Sequence, residues 1–225
     1  MQPKQLSLVH VVAEPRQRSA GKPPLLILAH GVGANERDLL AFAPYADPRF
    51  LVISVRAPRR YQYGGFSWFD IHWRASGFTI DVEQAATGWR GLQTFVREAV
   101  AAYGADPARV YLAGFSQGAI TCLGATLTEP NLIAGTVVMS GRWMPEIGPQ
   151  ADTHAIVGKP FLVVHGDYDS VIPIRYGRAI REYLQTLPVQ LTYQEYPMAH
   201  EVSTESLHDV TAWLQQQLDA VPAAG

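Results

Sequence analysis

The sequence predicts an α/β fold in which a mostly parallel central sheet is flanked by helices. Two observations indicate this fold: short apolar runs rich in β-branched residues recur along the 225 residues, and longer segments with helical periodicity separate them. These helical segments can serve as crossover connections, which parallel strands need because consecutive strands point the same way. No internal repeat and no linker rich in Pro, Gly or Ser divides the chain, so residues 1–225 are predicted to form a single domain.

Six apolar runs are candidate strands, and their near-continuous apolar character is typical of strands that are buried on both faces. An earlier segment, Leu6–Val12, alternates apolar and polar residues instead, which predicts an antiparallel edge strand. The six runs are Leu25–Ala29, Leu51–Val55, Val110–Ala113, Thr136–Met139, Phe161–Val164 and Leu191–Tyr196.

The longest helical pattern extends from about Asp81 to Tyr103, where apolar residues recur at intervals of three and four. Gly104 and Pro107 follow it, as expected at the end of a helix. The stretch from Pro58 to Phe78 is rich in aromatic residues and glycine and fits no element, so we expect a functional loop that forms a pocket wall. Further helices are predicted after Glu36, after Ser116, from Pro173 to Leu187 and from Ser203 to Leu218.

Composition excludes several classes of protein. With 48% hydrophobic and 17% charged residues, the chain is not intrinsically disordered. Its net charge is −2 and its basic residues form only the short Arg56, Arg59, Arg60 cluster, so no nucleic-acid partner is predicted. The apolar runs are too short to span a membrane, and His10 and Glu14 interrupt the N-terminal apolar residues that a signal segment would need.

Cys122 is the only cysteine in the sequence. It allows no intramolecular disulfide and no cysteine-based metal site, and we expect it to be a buried apolar residue in the helix after Ser116. A single cysteine is typical of proteins in a reducing compartment, which predicts a cytoplasmic location.

The pentapeptide Gly114-Phe115-Ser116-Gln117-Gly118 indicates a catalytic nucleophile. It fits the pattern G-x-S-x-G, with a predicted strand before it and a predicted helix after it. In such a turn the serine backbone is strained, and the positions two before and two after it are too crowded for a side chain. The Gln117 amide begins the helix, where unpaired N–H groups favour a negative charge, so it is a candidate oxyanion donor.

A serine nucleophile needs a histidine base, which in this arrangement follows the acid along the chain. His200 comes after the last predicted strand and before the last helix, so we predict that it is the base. His154 precedes a strand, His165 ends one and His208 lies within a helix, where structural or solvent-exposed roles are expected.

Two aspartates, Asp167 and Asp169, follow the strand Phe161–Val164. We predict that Asp169 is the acid, because Asp167 directly follows a glycine and is more typical of a residue that organises the turn. A second oxyanion donor should come from the loop after an early strand, and the Val32 amide in His30-Gly31-Val32-Gly33 is the candidate. His30 precedes the nucleophile and is predicted to be structural, and Asp38 is predicted to support the helix that follows it.

Together these motifs resemble the phospholipase/carboxylesterase family of α/β-hydrolases, which includes acyl-protein thioesterases and small bacterial carboxylesterases. They extend over positions 30 to 201, which is most of the chain. The segments that carry the resemblance are His30-Gly31-Val32-Gly33 with Asp38, Trp68-Phe69-Asp70-Ile71, Gly114-Phe115-Ser116-Gln117-Gly118, His165-Gly166 with Asp169 and Pro173, and His200-Glu201.

The resemblance implies an α/β-hydrolase fold without a large cap domain, a Ser116, Asp169, His200 triad, and Val32 and Gln117 as oxyanion donors. It further implies a substrate pocket bordered by the Trp68 segment. The residues expected at that pocket are Trp68, Phe69, Trp143 and Ile172.

The predicted function is that of a serine carboxylesterase acting on small to medium uncharged esters, with no metal or organic cofactor. An acyl-thioesterase or lysophospholipase would use the same residues, and a non-catalytic ligand-binding protein with this fold is the alternative from another class. A small-molecule ester is the expected partner. The sequence leaves open whether two copies pair as a homodimer.

Overall fold

The computed structural model describes residues 2–17, 21–74 and 77–220. Its strands are β1 His10–Ala13, β2 Leu25–Ala29, β3 Leu51–Val55, β4 Arg59–Arg60, β5 Phe66–Ser67, β6 Ile71–Arg74, β7 Gly77–Ile80, β8 Val110–Phe115, β9 Gly135–Met139, β10 Pro160–Gly166 and β11 Gln190–Tyr196. Seven of these strands form a central sheet in the order β1-β3-β2-β8-β9-β10-β11, and every neighbouring pair is parallel except β1 with β3. This is the predicted, mostly parallel sheet.

Four α-helices confirm four of the five predicted helical segments. The first of them begins where the Asp81 carboxylate accepts a 3.0 Å hydrogen bond from the Gln84 amide, and it ends at Gly104, which has a φ of 65°. The helices are α1 Val82–Tyr103, α2 Gln117–Thr128, α3 Arg175–Gln185 and α4 Thr204–Ala220.

The predicted helix after Glu36 is wrong, because the chain there forms only a short 3₁₀ turn, Leu39–Phe42. Asp38 gives this turn no side-chain cap, so its predicted supporting role is wrong as well. Pro44 lies two residues beyond the turn and disfavours continuation of a helix. Two further 3₁₀ turns are Pro130–Leu132 and Pro145–Gln150.

Apolar side chains cover both faces of the sheet. One cluster packs residues of α1, α2 and α3 against the sheet, and a second packs the apolar residues of α4 against the opposite face. Two buried faces explain why the parallel strands are apolar throughout. No helix in the described ranges is long and apolar enough to cross a lipid bilayer.

Two segments differ from the sequence prediction. The edge strand begins at His10 rather than Leu6, and it is antiparallel as predicted. The stretch Pro58–Phe78 is not an irregular loop: β4 pairs with β5, and β6 pairs with β7. Its residues 75 and 76 lie outside the described part of the chain. Both hairpins are short, and aromatic residues also favour strands, so composition alone did not reveal them.

Candidate active site

Ser116 lies on a sharp turn between β8 and α2. Its φ of 55° and ψ of −116° are strained for a residue with a side chain, a conformation that costs about 1–3 kcal/mol. A Cβ atom on Gly118 would lie 2.0 Å from the Ala29 carbonyl oxygen, and one on Gly114 would lie 2.4 Å from the Gly118 oxygen. Both positions therefore require glycine, and the turn holds Ser116 at the end of the sheet.

A continuous chain of hydrogen bonds joins three side chains from three different loops. The Ser116 hydroxyl lies 2.9 Å from His200 Nε2, and His200 Nδ1 lies 2.7 Å from Asp169 Oδ2. All three follow the carboxyl ends of parallel strands β8, β10 and β11, which lie at the same edge of the sheet. The Phe115 ring packs against the His200 ring with centroids 4.8 Å apart.

Asp169 is buried, and its two carboxylate oxygens have separate partners. Oδ1 accepts hydrogen bonds from the amides of Val171 (2.9 Å) and Ile172 (2.7 Å), which leaves Oδ2 for His200. Burial alone would raise the pKa of the Asp169 carboxyl, but the hydrogen bonds from His200 and Ile172 bring it below its usual range. The carboxylate therefore stays ionised. Because Asp169 accepts the two amide hydrogen bonds within this turn, it is the residue that organises the turn. The prediction that Asp167 has this role is wrong, and the Asp167 residue is exposed.

The loop after β2 brings a second backbone amide to the nucleophile. A Cβ atom on Gly31 would lie only 3.2 Å from the Ser116 Cβ, so this loop packs directly against the serine. Val32 and Gln117 both line the cavity beside Ser116. Within the described ranges, neither amide donates a hydrogen bond to a protein acceptor. Two free N–H groups next to a serine are what an oxyanion site requires.

The cavity at Ser116 has a volume of about 150 Å³. Among the residues that the structure describes, its lining is apolar apart from Ser116, Gln117 and His200, and includes no carboxylate, lysine or arginine. Ile172, one of the four residues expected at the pocket, belongs to this lining. The lining comprises Gly31, Val32, Ile71, Phe78, Phe115, Ser116, Gln117, Ile120, Val171, Ile172 and His200.

Three predicted pocket residues lie elsewhere. Trp68 and Phe69 are each 1% exposed and pack in the core beneath the site, and Trp143 stacks on Tyr183 with ring centroids 3.7 Å apart. Their aromatic character indicated a pocket, but their size also suits them to the core. Sequence reasoning missed Ile120, although it follows Ser116 by one helical turn and this spacing could have identified it.

The other histidines and the cysteine considered in the sequence analysis lie outside the hydrogen-bond chain of the site. His30 is fully buried, its Nδ1–H donates to the Gly31 carbonyl (2.6 Å), and its Nε2 accepts from the Ala57 amide (3.0 Å). Burial lowers the pKa of His30, so it stays neutral. Cys122 is buried in α2, and burial raises the pKa of its thiol. His154 and His208 are exposed.

Comparison with known proteins identifies the family. A family model described as phospholipase/carboxylesterase matches residues 9–218. The chain belongs to this family of hydrolases. Acyl-protein thioesterase 1 of Kluyveromyces lactis is 28% identical over 210 residues, which cover 86% of this chain and 92% of that protein. A probable carboxylesterase of Arabidopsis thaliana is 28% identical over 219 residues, which cover 91% and 83%.

The fold of this phospholipase/carboxylesterase family member also matches solved structures. The crystal structure of the Bacillus cereus carboxylesterase superposes with a TM-score of 0.80 at 24% sequence identity, and the match covers 93% of this chain and 94% of that chain. The predicted α/β-hydrolase fold and the family resemblance are therefore confirmed.

Proposed function

We propose that this protein is a serine carboxylesterase that hydrolyses small to medium uncharged carboxylic esters through an acyl-serine intermediate. The observation that supports this most directly is the hydrogen-bond chain from Asp169 through His200 to Ser116, which opens on an apolar cavity. A serine hydroxyl is a weak nucleophile alone, and an imidazole held by a carboxylate is the group that activates it.

In the first half of the reaction, the Ser116 hydroxyl attacks the ester carbonyl carbon while its proton passes to His200 Nε2. The imidazole becomes positively charged, and the Asp169 carboxylate, 2.7 Å from Nδ1, stabilises that charge. The carbonyl oxygen becomes an oxyanion, which the amides of Val32 and Gln117 stabilise. Collapse of this intermediate breaks the bond to the alcohol oxygen, which takes the proton from His200.

In the second half, His200 removes a proton from water as the water attacks the acyl carbon of the acyl-serine. The same two amides stabilise the second oxyanion. Its collapse releases the carboxylic acid, and the proton on His200 returns to the Ser116 oxygen. No redox step occurs, and each proton and bond is accounted for by water, the three side chains and the two backbone amides named above.

The cavity supports the substrate class. Apolar side chains from Ile71, Phe78, Ile120, Val171 and Ile172 surround Ser116, and these favour a hydrocarbon group over a charged one. A volume of about 150 Å³ suits a short or medium chain better than a long one. The ester is therefore expected to be small to medium and uncharged.

An acyl-thioesterase is the second candidate function. It is favoured by the 28% identity to acyl-protein thioesterase 1 of Kluyveromyces lactis, since a thioester would use the same nucleophile, base and oxyanion donors. The two candidates differ in the leaving group, whereas the cavity of about 150 Å³ favours a short or medium acyl chain in either case.

The test of the nucleophile uses a fluorophosphonate probe, which labels activated serines, together with p-nitrophenyl esters of increasing chain length. We expect the wild type to be labelled and to prefer short and medium acyl chains. Ser116→Ala should lose labelling, and its kcat should fall by about 10⁶-fold. Ser170→Ala is the matched control, because Ser170 is exposed on the same loop as Asp169.

Three outcomes would contradict the proposal. Wild-type protein that is folded yet unlabelled would indicate a non-catalytic ligand-binding protein. Ester hydrolysis that survives Ser116→Ala would exclude Ser116 as the nucleophile. A strong preference for long-chain acyl-thioesters over p-nitrophenyl esters would favour the thioesterase.

A further inference from the structure

A second histidine lies beneath the acid loop and belongs to no part of the mechanism above. His165 is the penultimate residue of β10 and is fully buried. Its Nε2 lies 2.6 Å from the Ile172 carbonyl oxygen and 3.5 Å from Asp169 Oδ2. A carbonyl oxygen can only accept, so Nε2 carries the hydrogen and donates it to Ile172.

The surroundings of Nδ1 also favour the form of His165 in which only Nε2 carries a hydrogen. His165 Nδ1 is buried and has no hydrogen-bond partner in the described part of the chain. It faces Gly177 of α3, where a Cβ atom would come within 2.6 Å of it. A proton on Nδ1 would be buried without an acceptor, which costs free energy. Burial lowers the pKa of His165, and nearby His200 lowers it further. Together they outweigh the hydrogen bond to Ile172 and the carboxylates of Asp169 and Glu195, which raise it.

The hydrogen bond from His165 closes the acid loop. The Ile172 amide donates to Asp169 Oδ1, and the Ile172 carbonyl accepts from His165, so the main chain of Ile172 is held on both sides. Ile172 precedes Pro173, whose ring already restricts its backbone. Without His165, the Ile172 carbonyl would lose its partner in a buried site, and the loop would shift to find another.

We propose that His165 is a positioning residue whose Nε2–H, donated to the Ile172 carbonyl, holds the acid loop so that Asp169 Oδ2 stays aligned with His200 Nδ1. It touches neither the substrate nor the reacting atoms. Its function is to fix the geometry of the carboxylate that orients the catalytic imidazole. This inference rests on the proposed function for its kinetic consequence.

The first test compares two substitutions that differ in one hydrogen-bond donor. Glutamine in His165→Gln can place its Nε2 amide near the position of the imidazole Nε2–H, whereas methionine in His165→Met fills a similar volume without a donor. A misplacement on the order of 1 Å costs up to about 10²-fold in rate, so we expect kcat of His165→Met to fall by about 10- to 100-fold while KM stays nearly constant. His165→Gln should retain most of the kcat.

A spectroscopic measurement separates positioning from simple stabilisation. The proton between His200 Nδ1 and Asp169 should give a downfield proton NMR resonance in the wild type and in His165→Gln. In His165→Met this resonance should broaden or disappear at a temperature well below the unfolding midpoint. The measurement requires no substrate, so it tests the inference even if the proposed function fails in the labelling experiment.

A second perturbation reaches the imidazole from the opposite side. Gly177→Ala places a methyl group 2.6 Å from His165 Nδ1, which pushes the ring toward the acid loop. Gly91→Ala is the matched control, because it is also a helical glycine and its added methyl would meet nothing within 4 Å. We expect Gly177→Ala to lower kcat and weaken the downfield resonance, and Gly91→Ala to change neither.

Two results would overturn the inference. One is a folded His165→Met protein with wild-type kcat and an intact downfield resonance. The other is an equal loss of kcat and thermal stability in His165→Gln and His165→Met, which would indicate that the imidazole acts only through packing.

Discussion

The side chain of Gln117 and the main chain of Trp68 are joined by a 2.7 Å hydrogen bond from the Trp68 amide to Gln117 Oε1. Gln117 Nε2 in turn donates to the Phe69 carbonyl at 2.6 Å. The main chain of Trp68 and Phe69 therefore holds the residue that follows the nucleophile in place, and neither of these two residues lines the cavity at Ser116. Because the backbone amide of Gln117 is a candidate oxyanion donor, these two hydrogen bonds help to fix the position of a group that takes part in the proposed chemistry.

Gln117→Leu should destabilise the protein and slow catalysis together. The substitution leaves the Trp68 amide and the Phe69 carbonyl buried without partners, at about 1–3 kcal/mol for each. We therefore expect the free energy of unfolding, measured by urea denaturation, to fall by about 2–6 kcal/mol, and kcat of the remaining folded protein to fall as well. Gln93→Leu is the control: Gln93 is also buried and donates to the Ala125 carbonyl, away from the elbow. Equal kcat values for Gln117→Leu and Gln93→Leu would argue against a role of the Gln117 side chain in positioning the oxyanion donor.

Gly118→Ala should prevent the elbow from forming. Its Cβ would overlap the Ala29 backbone oxygen at 2.0 Å, and backbone atoms of a central strand cannot move aside without breaking the sheet. We expect a loss of more than about 4 kcal/mol in unfolding free energy, which is exceptional for a single substitution. The measurement is circular dichroism during denaturation, with Gly91→Ala as the tolerated control. A Gly118→Ala protein of normal stability would show that the turn adopts another conformation.

Arg142 should set how long an acyl chain the cavity accepts. Its Nη1 donates to the Phe78 carbonyl at 3.0 Å, and its guanidinium lies 4.8 Å from the Phe78 ring and 4.9 Å from the Tyr176 ring. Since Phe78 lines the cavity, Arg142→Met should loosen that wall and raise the kcat/KM ratio of octanoyl to acetyl esters. Such stacking contributes up to about 2 kcal/mol, so the change should be on the order of tenfold.

The control for this prediction is Arg181→Met. Arg181 also stacks on an aromatic ring, that of Tyr193 at 4.9 Å, but neither residue lines the cavity. Its chain-length profile should match that of the wild type. If Arg142→Met also keeps the wild-type profile, then Phe78 is held in place by its other neighbours.

Stability should fall as the pH drops below about 6.5, the ordinary histidine pKa. Burial lowers the pKa of both His30 and His165 in the folded protein, so only the unfolded chain takes up protons at these sites in mildly acidic solution. Each contributes a slope of up to about 1.4 kcal/mol per pH unit until the native histidine is also protonated. Urea denaturation between pH 7.5 and pH 5, on the order of one unit either side of this pKa, measures the slope.

His165→Gln removes one of these two groups and should reduce the slope by about half. His208→Gln is the control, since the His208 side chain is 80% exposed, and it should leave the slope unchanged. An unchanged slope in His165→Gln would mean that His165 accepts a proton in the native state, contrary to the fixed tautomer inferred above.

The sequence was most informative where function depends on local geometry. Gly114 and Gly118 could be interpreted without coordinates, because a strand-to-helix turn dictates both. The order of Ser116, Asp169 and His200 followed from strands whose carboxyl ends share one edge, and the structure brings these three side chains together.

The cavity wall was least predictable, because it depends on where a hairpin folds back over the sheet. Phe78 lines the cavity while Trp68 lies in the core, and both are aromatic residues of one connection. Two structural facts distinguish them. Phe78 belongs to the hairpin of β6 and β7, whereas the main chain of Trp68 is hydrogen-bonded to the buried side chain of Gln117. The role of Asp169 in its own turn also escaped sequence reasoning, because either aspartate of the loop could have accepted those amides.

The buried position of Cys122 has a practical consequence for labelling. It is the only thiol in the sequence, and burial suppresses the thiolate that maleimides and iodoacetamides require. A cysteine placed at an exposed position such as Tyr63, which is 79% exposed, would therefore be the only thiol that reacts in the folded protein. Fluorophores, spin labels or surface tethers could thus be attached at one chosen site with the native cysteine left in place.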